Sequence, residues 1–207
     1  MDGPEVIVVP TGSANLASIL AGMRRIGAAP RVSDDVGEVA SARRVVLPGV
    51  GAFGAAMAKL SVGKLTDVLA ERVREGRPTL AVCLGLQLLC ATSEETEGAV
   101  GLGVLPSRVE RFSHEVRAPQ MGWNMVEAQS GCRFLETGYA YFANSYCLRD
   151  EPEGWSVACT EHGGQFVSAL ERGAVLACQF HPELSGPWGL GLLARWLAIG
   201  ETEGDTC

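Results

Sequence analysis

Short apolar runs that alternate with helical patterns constrain the fold of this chain most strongly. The runs are rich in aliphatic residues, and each is followed by a segment with helical periodicity. Strands separated by helices are typical of a parallel sheet covered on both faces. The alternating segments in the first half are 6–9, 14–26, 44–47, 54–60, 65–74 and 79–82.

The second half of the chain is richer in short strand patterns, several of them expected to be antiparallel, before a final helix at 189–198. These strands are expected at 108–112, 122–126, 139–142, 156–160, 166–170 and 175–179. The fold class is therefore α/β: an open, mostly parallel central sheet with helices on both faces, plus antiparallel strands in the second half. With 207 residues and 47% hydrophobic composition, we expect one domain over 1–200 and a short polar tail over 201–207.

Cys83 stands where the apolar strand 79–82 meets a helical pattern that contains Gly85. A thiol at a helix N-terminus meets unpaired N–H groups and the positive end of the helix dipole, which favour the thiolate. Open α/β sheets also bind ligands at the carboxyl ends of their strands. Cys83 is therefore a candidate nucleophile, and the alternative is a small buried core residue.

A candidate base and its orienting carboxylate follow another apolar run near the end of the chain. In an extended segment His181 and Glu183 point to the same side, while Pro182 stiffens the backbone between them. A cysteine nucleophile needs an imidazole to accept its proton and a carboxylate to orient the ring. The alternative for His181 is a structural hydrogen bond at a strand end.

A glycine-rich turn over 48–51 follows the strand 44–47 and precedes a helix. Acyl transfer places negative charge on a carbonyl oxygen, which paired backbone N–H groups stabilise. We expect these donors to be Leu84 N–H and the N–H of Val50 or Gly51. The phosphate-loop alternative is disfavoured because the turn has no G-K-[ST] sequence, and a plain strand-to-helix turn remains open.

Charge and cysteine use limit the function classes. A net charge of −7 argues against nucleic acid as the main partner. The chain has no run of eighteen apolar residues and no basic segment after its first residues, so we expect no membrane association and a cytoplasmic location. Seven cysteines without CxxC spacing suggest no disulfide framework, and we expect no metal and no cofactor.

This chain resembles the class I glutamine amidotransferases. The resemblance rests on the strand-to-helix turn at Cys83, the His181-Pro182-Glu183 segment and the turn at 48–51, and on their order along the chain. The segment 119–124, with the sequence PQMGWN, is similar to that of the glutaminase subunits of imidazole glycerol phosphate synthases. Segments 141–146, 165–169 and 179–186 are similar to those subunits too. The resemblance spans nearly the whole chain.

This resemblance implies hydrolysis of L-glutamine through a thioester. Cys83 would attack the side-chain amide carbon, His181 would act as base and then as acid, and Glu183 would hold the imidazole. The residues that would bind the amino acid head group are Gln87, Glu95, Ser145 and Tyr146. The alternative for Glu95 is a solvated acid in a polar loop.

The resemblance also implies a partner, a (βα)8 cyclase subunit that uses the ammonia in histidine biosynthesis. Pro119, Met121 and Trp123 offer an apolar anchor for it, although Trp123 could instead serve local core packing. Glutaminase activity would be weak without the partner, and Val50 is expected to reorient when the partner is loaded.

The chain departs from the family pattern at several positions. Leu184 stands where Lys is usual and Asn144 where His is common, and only Gly12, Asn15 and Leu16 remain of the usual motif after the first strand. These departures concern the partner contact and leave the three expected catalytic residues in place.

Three other functions remain open at this point. The chain could be a glutaminase for another synthase, such as pyridoxal phosphate synthase, a non-catalytic interaction or stress-response protein on the same fold, or a thiol protease. The segment 119–124 disfavours the first of these.

Overall fold

The computed structural model describes residues 3–12 and 16–199. Its strands belong to one twelve-stranded sheet. They are β1 Glu5–Val8, β2 Ala29–Val32, β3 Val45–Leu47, β4 Thr79–Val82, β5 Cys90–Ser93, β6 Leu105–Arg111, β7 Gln120–Ala128, β8 Gly138–Asn144, β9 Tyr146–Leu148, β10 Ser156–Glu161, β11 Gln165–Arg172 and β12 Val175–Cys178.

Helices connect the strands of the first half and close the chain. They are α1 Leu16–Arg25, α2 Val36–Ser41, α3 Phe53–Val62, α4 Thr66–Arg74, α5 Leu84–Leu88 and α6 Gly186–Leu197, with a 3-10 helix at Pro182–Leu184. The first two residues of the predicted helix at 14–26, together with Asn15 of the first motif and the predicted tail at 201–207, lie outside the described residues.

The strand order explains how two distant parts of the chain meet. The central sheet runs β2-β1-β3-β4-β12 with every neighbouring pair parallel, and continues through β11, β10, β7 and β8 with antiparallel pairs. A branch adds β9 beside β11, then β6 and β5. The predicted α/β class is confirmed, and β4 lies directly beside β12.

Successive side chains of the parallel strands enter two separate cores, because they point to opposite faces of the sheet. Ile7 and Leu47 pack with α3 and α4 on one face, whereas Val8 and Val46 pack with α1 and α6 on the other. Every residue of β3, β4 and β12 is buried. This double coverage accounts for their continuous apolar sequences.

The sequence patterns missed β2, α2, β5 and β9. β2 contains Pro30 and is half exposed at the sheet edge, where proline is tolerated. The six-residue α2 is capped by Asp35, whose side chain accepts a hydrogen bond from Glu38 N–H at 2.8 Å. β5 and β9 span four and three residues, too few for a clear period. Among the described helices, none combines the length and the apolar character that a membrane span requires.

Candidate active site

Cys83 lies on a sharp turn between β4 and α5. Its φ of +53° and ψ of −108° are rare for a residue with a side chain. Its N–H donates to the carbonyl of Cys178 at 2.6 Å, and Val82 stands opposite Cys178 in the parallel register. The turn therefore holds the thiol at the carboxyl end of the sheet, beside the end of β12. The expected helix after it is short, since α5 spans five residues.

Gly85 permits this turn by its lack of a side chain. A Cβ at this position would lie 1.9 Å from the carbonyl oxygen of Leu47, far inside van der Waals contact. The chain of α5 can therefore approach β3 closely only with glycine here.

His181 and Glu183 form a buried pair next to Cys83. His181 Nδ1 lies 3.0 Å from Glu183 Oε1, and the two side chains are 6% and 4% exposed. Cys83 lies close enough to the imidazole to raise the pKa of His181, and since Nδ1 faces the carboxylate, Nε2 is the ring nitrogen available to the sulfur. The three predicted residues therefore meet in the order sulfur, imidazole, carboxylate.

The backbone that carries this pair differs from the prediction. Only His181 is extended, with φ of −99° and ψ of 95°, and Pro182 begins the 3-10 helix that contains Glu183. The predicted extended segment is therefore wrong. Proline is well suited to the first position of a helix, where its missing N–H costs nothing. Pro182 therefore starts a helical turn instead of stiffening an extended strand.

The surroundings of His181 favour its protonated form. Burial lowers the pKa of His181, but its interactions with Cys83 and Glu183 outweigh burial and raise the pKa to about 10. The upward direction follows from the buried carboxylate beside Nδ1, which stabilises an imidazolium, and from the sulfur, which can accept a hydrogen bond from it. The imidazole is therefore well placed to accept a proton from the thiol.

Cys90 and Cys178 are buried thiols within the two cores. Burial raises the pKa of Cys90 to about 12 and that of Cys178 well above its ordinary value. These thiols stay protonated at neutral pH, as expected for small core residues.

Cys83 opens onto a cavity of about 180 Å³. The cavity brings together residues predicted for the nucleophile, the backbone donors, the head-group site and one interface position. These lining residues are Cys83, Leu84, Val50, Gly51, Gln87, Glu95, Ser145, Tyr146 and Pro119.

The side chains of Gln87 and Glu95, both predicted to bind the head group, already have protein partners. Gln87 Nε2 donates to the carbonyl of Tyr146 at 3.1 Å, and Glu95 Oε2 accepts from Phe53 N–H at 2.5 Å. Glu95 therefore caps the first turn of α3 at the cavity wall, and it is more than a solvated loop acid.

The predicted pair of backbone donors is not assembled in this conformation. Leu84 N–H donates to the carbonyl of Gly49 at 3.3 Å, so this N–H is directed at the turn rather than at the cavity. Gly51 has a φ of +110°, in the left-handed region that favours glycine. Leu84 can serve as a donor only after the Gly49 carbonyl turns away.

A second, much smaller cavity of about 10 Å³ lies along His181 and Glu183. Val50 lines both cavities. The turn at 48–51 therefore stands between the nucleophile cavity and the space beside the buried carboxylate.

An exposed apolar patch lies on the β7-β8 hairpin and the 3-10 helix next to β8. It consists of Met121, Trp123, Tyr139 and Leu184, whose exposed fractions are 65%, 58%, 57% and 40%. Trp123 is not a core residue, so that alternative is wrong. Pro119 is also exposed and reaches from this hairpin to the nucleophile cavity. The sequence did not predict Tyr139 as a surface residue of this patch, because polar and apolar residues barely alternate along its strand.

Sequence reasoning also missed Gln179 as a neighbour of the sulfur. Its Nε2 lies 3.6 Å from Cys83 Sγ, and the side chain is fully buried. The available signal was a single amide within the apolar run 174–180.

Residues 11–197 match the protein-family model described as glutamine amidotransferase class I. A relative from Symbiobacterium thermophilum, named imidazole glycerol phosphate synthase subunit HisH, is 41% identical over 195 residues, covering 92% of each chain. A relative from Methanothermobacter thermautotrophicus with the same name is 39% identical over 197 residues, covering 94% of this chain and 98% of the relative. Imidazole glycerol phosphate synthase hisHF of Arabidopsis thaliana is 37% identical over 93% of this chain, which aligns with 34% of that longer protein.

Solved structures share the fold at lower identity. A crystal structure described as glutamine amidotransferase superposes with a TM-score of 0.73 at 21% identity, covering 92% of this chain and 96% of the other. The glutaminase domain of Trypanosoma brucei CTPS, bound to acivicin, gives a TM-score of 0.64 at 15% identity, covering 93% of each chain.

Proposed function

Because this chain belongs to the class I glutamine amidotransferase family, we propose that Cys83, His181 and Glu183 are its catalytic residues. The chain is the glutamine amidotransferase subunit of an imidazole glycerol phosphate synthase, a role in histidine biosynthesis. It hydrolyses L-glutamine to glutamate and supplies the ammonia to a cyclase subunit. One observation carries the catalytic assignment: a buried imidazole-carboxylate pair lies beside a thiol that opens onto a cavity.

The reaction divides into two steps. In the first, His181 Nε2 takes the thiol proton, the sulfur bonds to the amide carbon of glutamine, and the carbon-nitrogen bond breaks as the imidazolium returns the proton to departing ammonia. In the second, His181 takes a proton from water, whose oxygen attacks the thioester, and the sulfur leaves with that proton. Glu183 keeps the ring oriented and stabilises the imidazolium in both steps.

The substrate is L-glutamine, with its head group held by Gln87, Glu95, Ser145 and Tyr146. A desolvated amino acid needs partners for both an ammonium and a carboxylate. Glu95 supplies a carboxylate for the ammonium, and its bond to Phe53 N–H holds that carboxylate at the cavity wall.

The oxyanion site forms from Leu84 N–H and a second N–H from Val50 or Gly51. The bond from Leu84 to the Gly49 carbonyl must first break, and a neutral hydrogen bond of this kind is worth only about 1 kcal/mol. Binding of a partner can readily supply that energy. Glutamine turnover should therefore be weak for the isolated chain and rise when the cyclase and its substrate are added, and equal turnover in both states would contradict this coupling.

The partner that we propose is a (βα)8 cyclase docked on the exposed apolar patch and Pro119. The patch exposes large aromatic and aliphatic side chains of the kind that dominate interfaces. Leu184 belongs to it, so this chain presents an apolar contact where the family commonly has a lysine. Pro119 links the patch to the nucleophile cavity, which keeps the ammonia's path to the partner short.

The names of the relatives favour this synthase over pyridoxal phosphate synthase. We also propose that the protein works in the cytoplasm, since six described cysteines are free thiols and thiols persist in reducing compartments. The sheet with one core on each face supports a single domain over 1–200. Cell fractionation and limited proteolysis test these two proposals.

A coupled assay with the cyclase tests the catalytic assignment. With glutamine as nitrogen source, Cys83→Ala should reduce product formation to background, whereas ammonium salt should sustain the same complex at the wild-type rate. Cys90→Ala removes a fully buried thiol outside the cavity and serves as the matched control, which should keep glutamine-dependent activity. Wild-type glutamine turnover by Cys83→Ala would overturn the assignment.

A further inference from the structure

Gln179 is a polar side chain beside the nucleophile that the reaction scheme leaves without a role. It follows β12 directly, and its N–H donates to the carbonyl of Ser168 at 2.8 Å. The side chain is fully buried, with Nε2 3.6 Å from Cys83 Sγ. Its backbone is therefore fixed by the sheet, and its amide reaches the reacting atom.

The orientation of this amide follows from its partners. The carbonyl of Tyr146 can only accept a hydrogen bond, so the atom of Gln87 that faces it at 3.1 Å must be Nε2. The same Nε2 lies 3.0 Å from Gln179, whose facing atom must accept and is therefore Oε1. The Nε2 group of Gln179 is therefore the end of the amide that faces the sulfur of Cys83. Its role as a hydrogen-bond donor follows from these two contacts of Gln87.

The tyrosine carbonyl that starts this chain of amides is itself well held. It also accepts a hydrogen bond from Asn144 Nδ2 at 3.0 Å. The sequence of contacts runs from Tyr146 through Gln87 and Gln179 to Cys83, and its first two members line the cavity.

We infer that Gln179 is a positioning residue that donates a hydrogen bond to the Cys83 sulfur and holds it facing the substrate cavity. This inference rests on the proposed role of Cys83 as nucleophile. A hydrogen bond strengthens when its acceptor becomes charged, so Gln179 stabilises the thiolate more than the thiol. Gln87 keeps the amide in the donating orientation, which links the head-group site to the nucleophile.

The test uses Gln179→Met, which keeps the length and burial of the side chain and removes the donor. In the complex with the cyclase, kcat should fall about tenfold while KM changes less than threefold, because a bond to a charged group is worth about one power of ten or more. The rate of Cys83 alkylation by iodoacetamide, followed by peptide mass spectrometry, should rise with pH at a midpoint about one unit higher than in the wild type.

Ser168→Ala is the matched control, since it removes another buried polar group beside β12 that does not touch the sulfur. Its alkylation profile should coincide with that of the wild type. If Gln179→Met does not fold, Gln87→Met frees the Gln179 amide and should shift the profile in the same direction by a smaller amount.

The two proposals fail differently. An unshifted alkylation profile in the Gln179→Met variant, or in Gln87→Met if that variant must replace it, overturns the role of Gln179 and leaves the catalytic assignment intact. Glutamine turnover by Cys83→Ala overturns the catalytic assignment, whatever the alkylation profiles show.

Discussion

Replacing Glu183 with glutamine tests how much the buried carboxylate contributes. The change keeps the size of the side chain and removes its charge from a site where it lies 3.0 Å from His181 Nδ1 and is 4% exposed. In the Glu183→Gln variant, the imidazolium that forms when His181 accepts the thiol proton has no buried carboxylate beside it. Removing one member of a buried ion pair costs about 3–5 kcal/mol, and each 1.36 kcal/mol is tenfold in rate.

We therefore expect Glu183→Gln to lower kcat by about two to four powers of ten. KM for glutamine should change little, because Glu183 lines the second cavity and not the one that holds the predicted head-group residues. The assay is steady-state glutaminase kinetics in the presence of the cyclase. Glu136→Gln, which removes a 62% exposed carboxylate, is the control and should leave both constants unchanged.

The same variant should change the pH dependence of stability. The pKa of His181 is about 10 in the folded chain and 6.5 as a free side chain, so the folded state keeps a proton that the unfolded state loses. The stabilisation is complete below about pH 6.5 and is lost as pH rises toward 10. Chemical denaturation of the wild type should show this decline, and Glu183→Gln should flatten it. A variant with wild-type kcat and an unchanged pH slope would refute the reasoning.

Two further changes test the turn after Cys83 and the proposed interface with the cyclase. Gly85→Ala places a Cβ 1.9 Å from the Leu47 carbonyl, so it should lower the free energy of unfolding by about 1–3 kcal/mol or more, measured by urea denaturation. Gly191→Ala, whose Cβ meets only the end of a flexible arginine at 3.4 Å, is its control, and equal stability of the two variants would contradict the close approach. Trp123→Ala should weaken binding of the cyclase about 30-fold, equivalent to about 2 kcal/mol, without changing the unfolding midpoint. Val62→Ala, at an 86% exposed residue on α3, should bind the cyclase as the wild type does, and titration calorimetry compares the two.

The parts of the fold that the sequence predicted best are those where burial alone decides the structure. β4 was predicted with its observed bounds because all four of its residues are apolar or β-branched and fully covered. β2 was missed because it lies at the edge, contains Pro30 and is only partly buried. An edge strand is stabilised by its neighbour more than by its own pattern.

The site shows the same division between residue types and backbone detail. The meeting of Cys83, His181 and Glu183 could be expected from residue types at strand ends, but the 3-10 turn at Pro182 could not, because both conformations bring the same side chains together. The Leu84 bond to Gly49 depends on a glycine turn that can take more than one conformation.

Side-chain networks were beyond the reach of the sequence for a different reason. The amide contact between Gln87 and Gln179 joins residues 92 positions apart, and it exists only because α5 and β12 are neighbours in space. No local period encodes such a pair.

Trapping the covalent intermediate tests the central claim most directly. The complex with the cyclase is mixed with glutamine, quenched in acid during turnover, digested and analysed by mass spectrometry. We predict that the peptide containing Cys83 carries one glutamyl group, that hydroxylamine removes it, and that it does not accumulate when glutamine is omitted. Turnover of glutamine with an unmodified Cys83 peptide, or with the glutamyl group on another cysteine, would contradict the account.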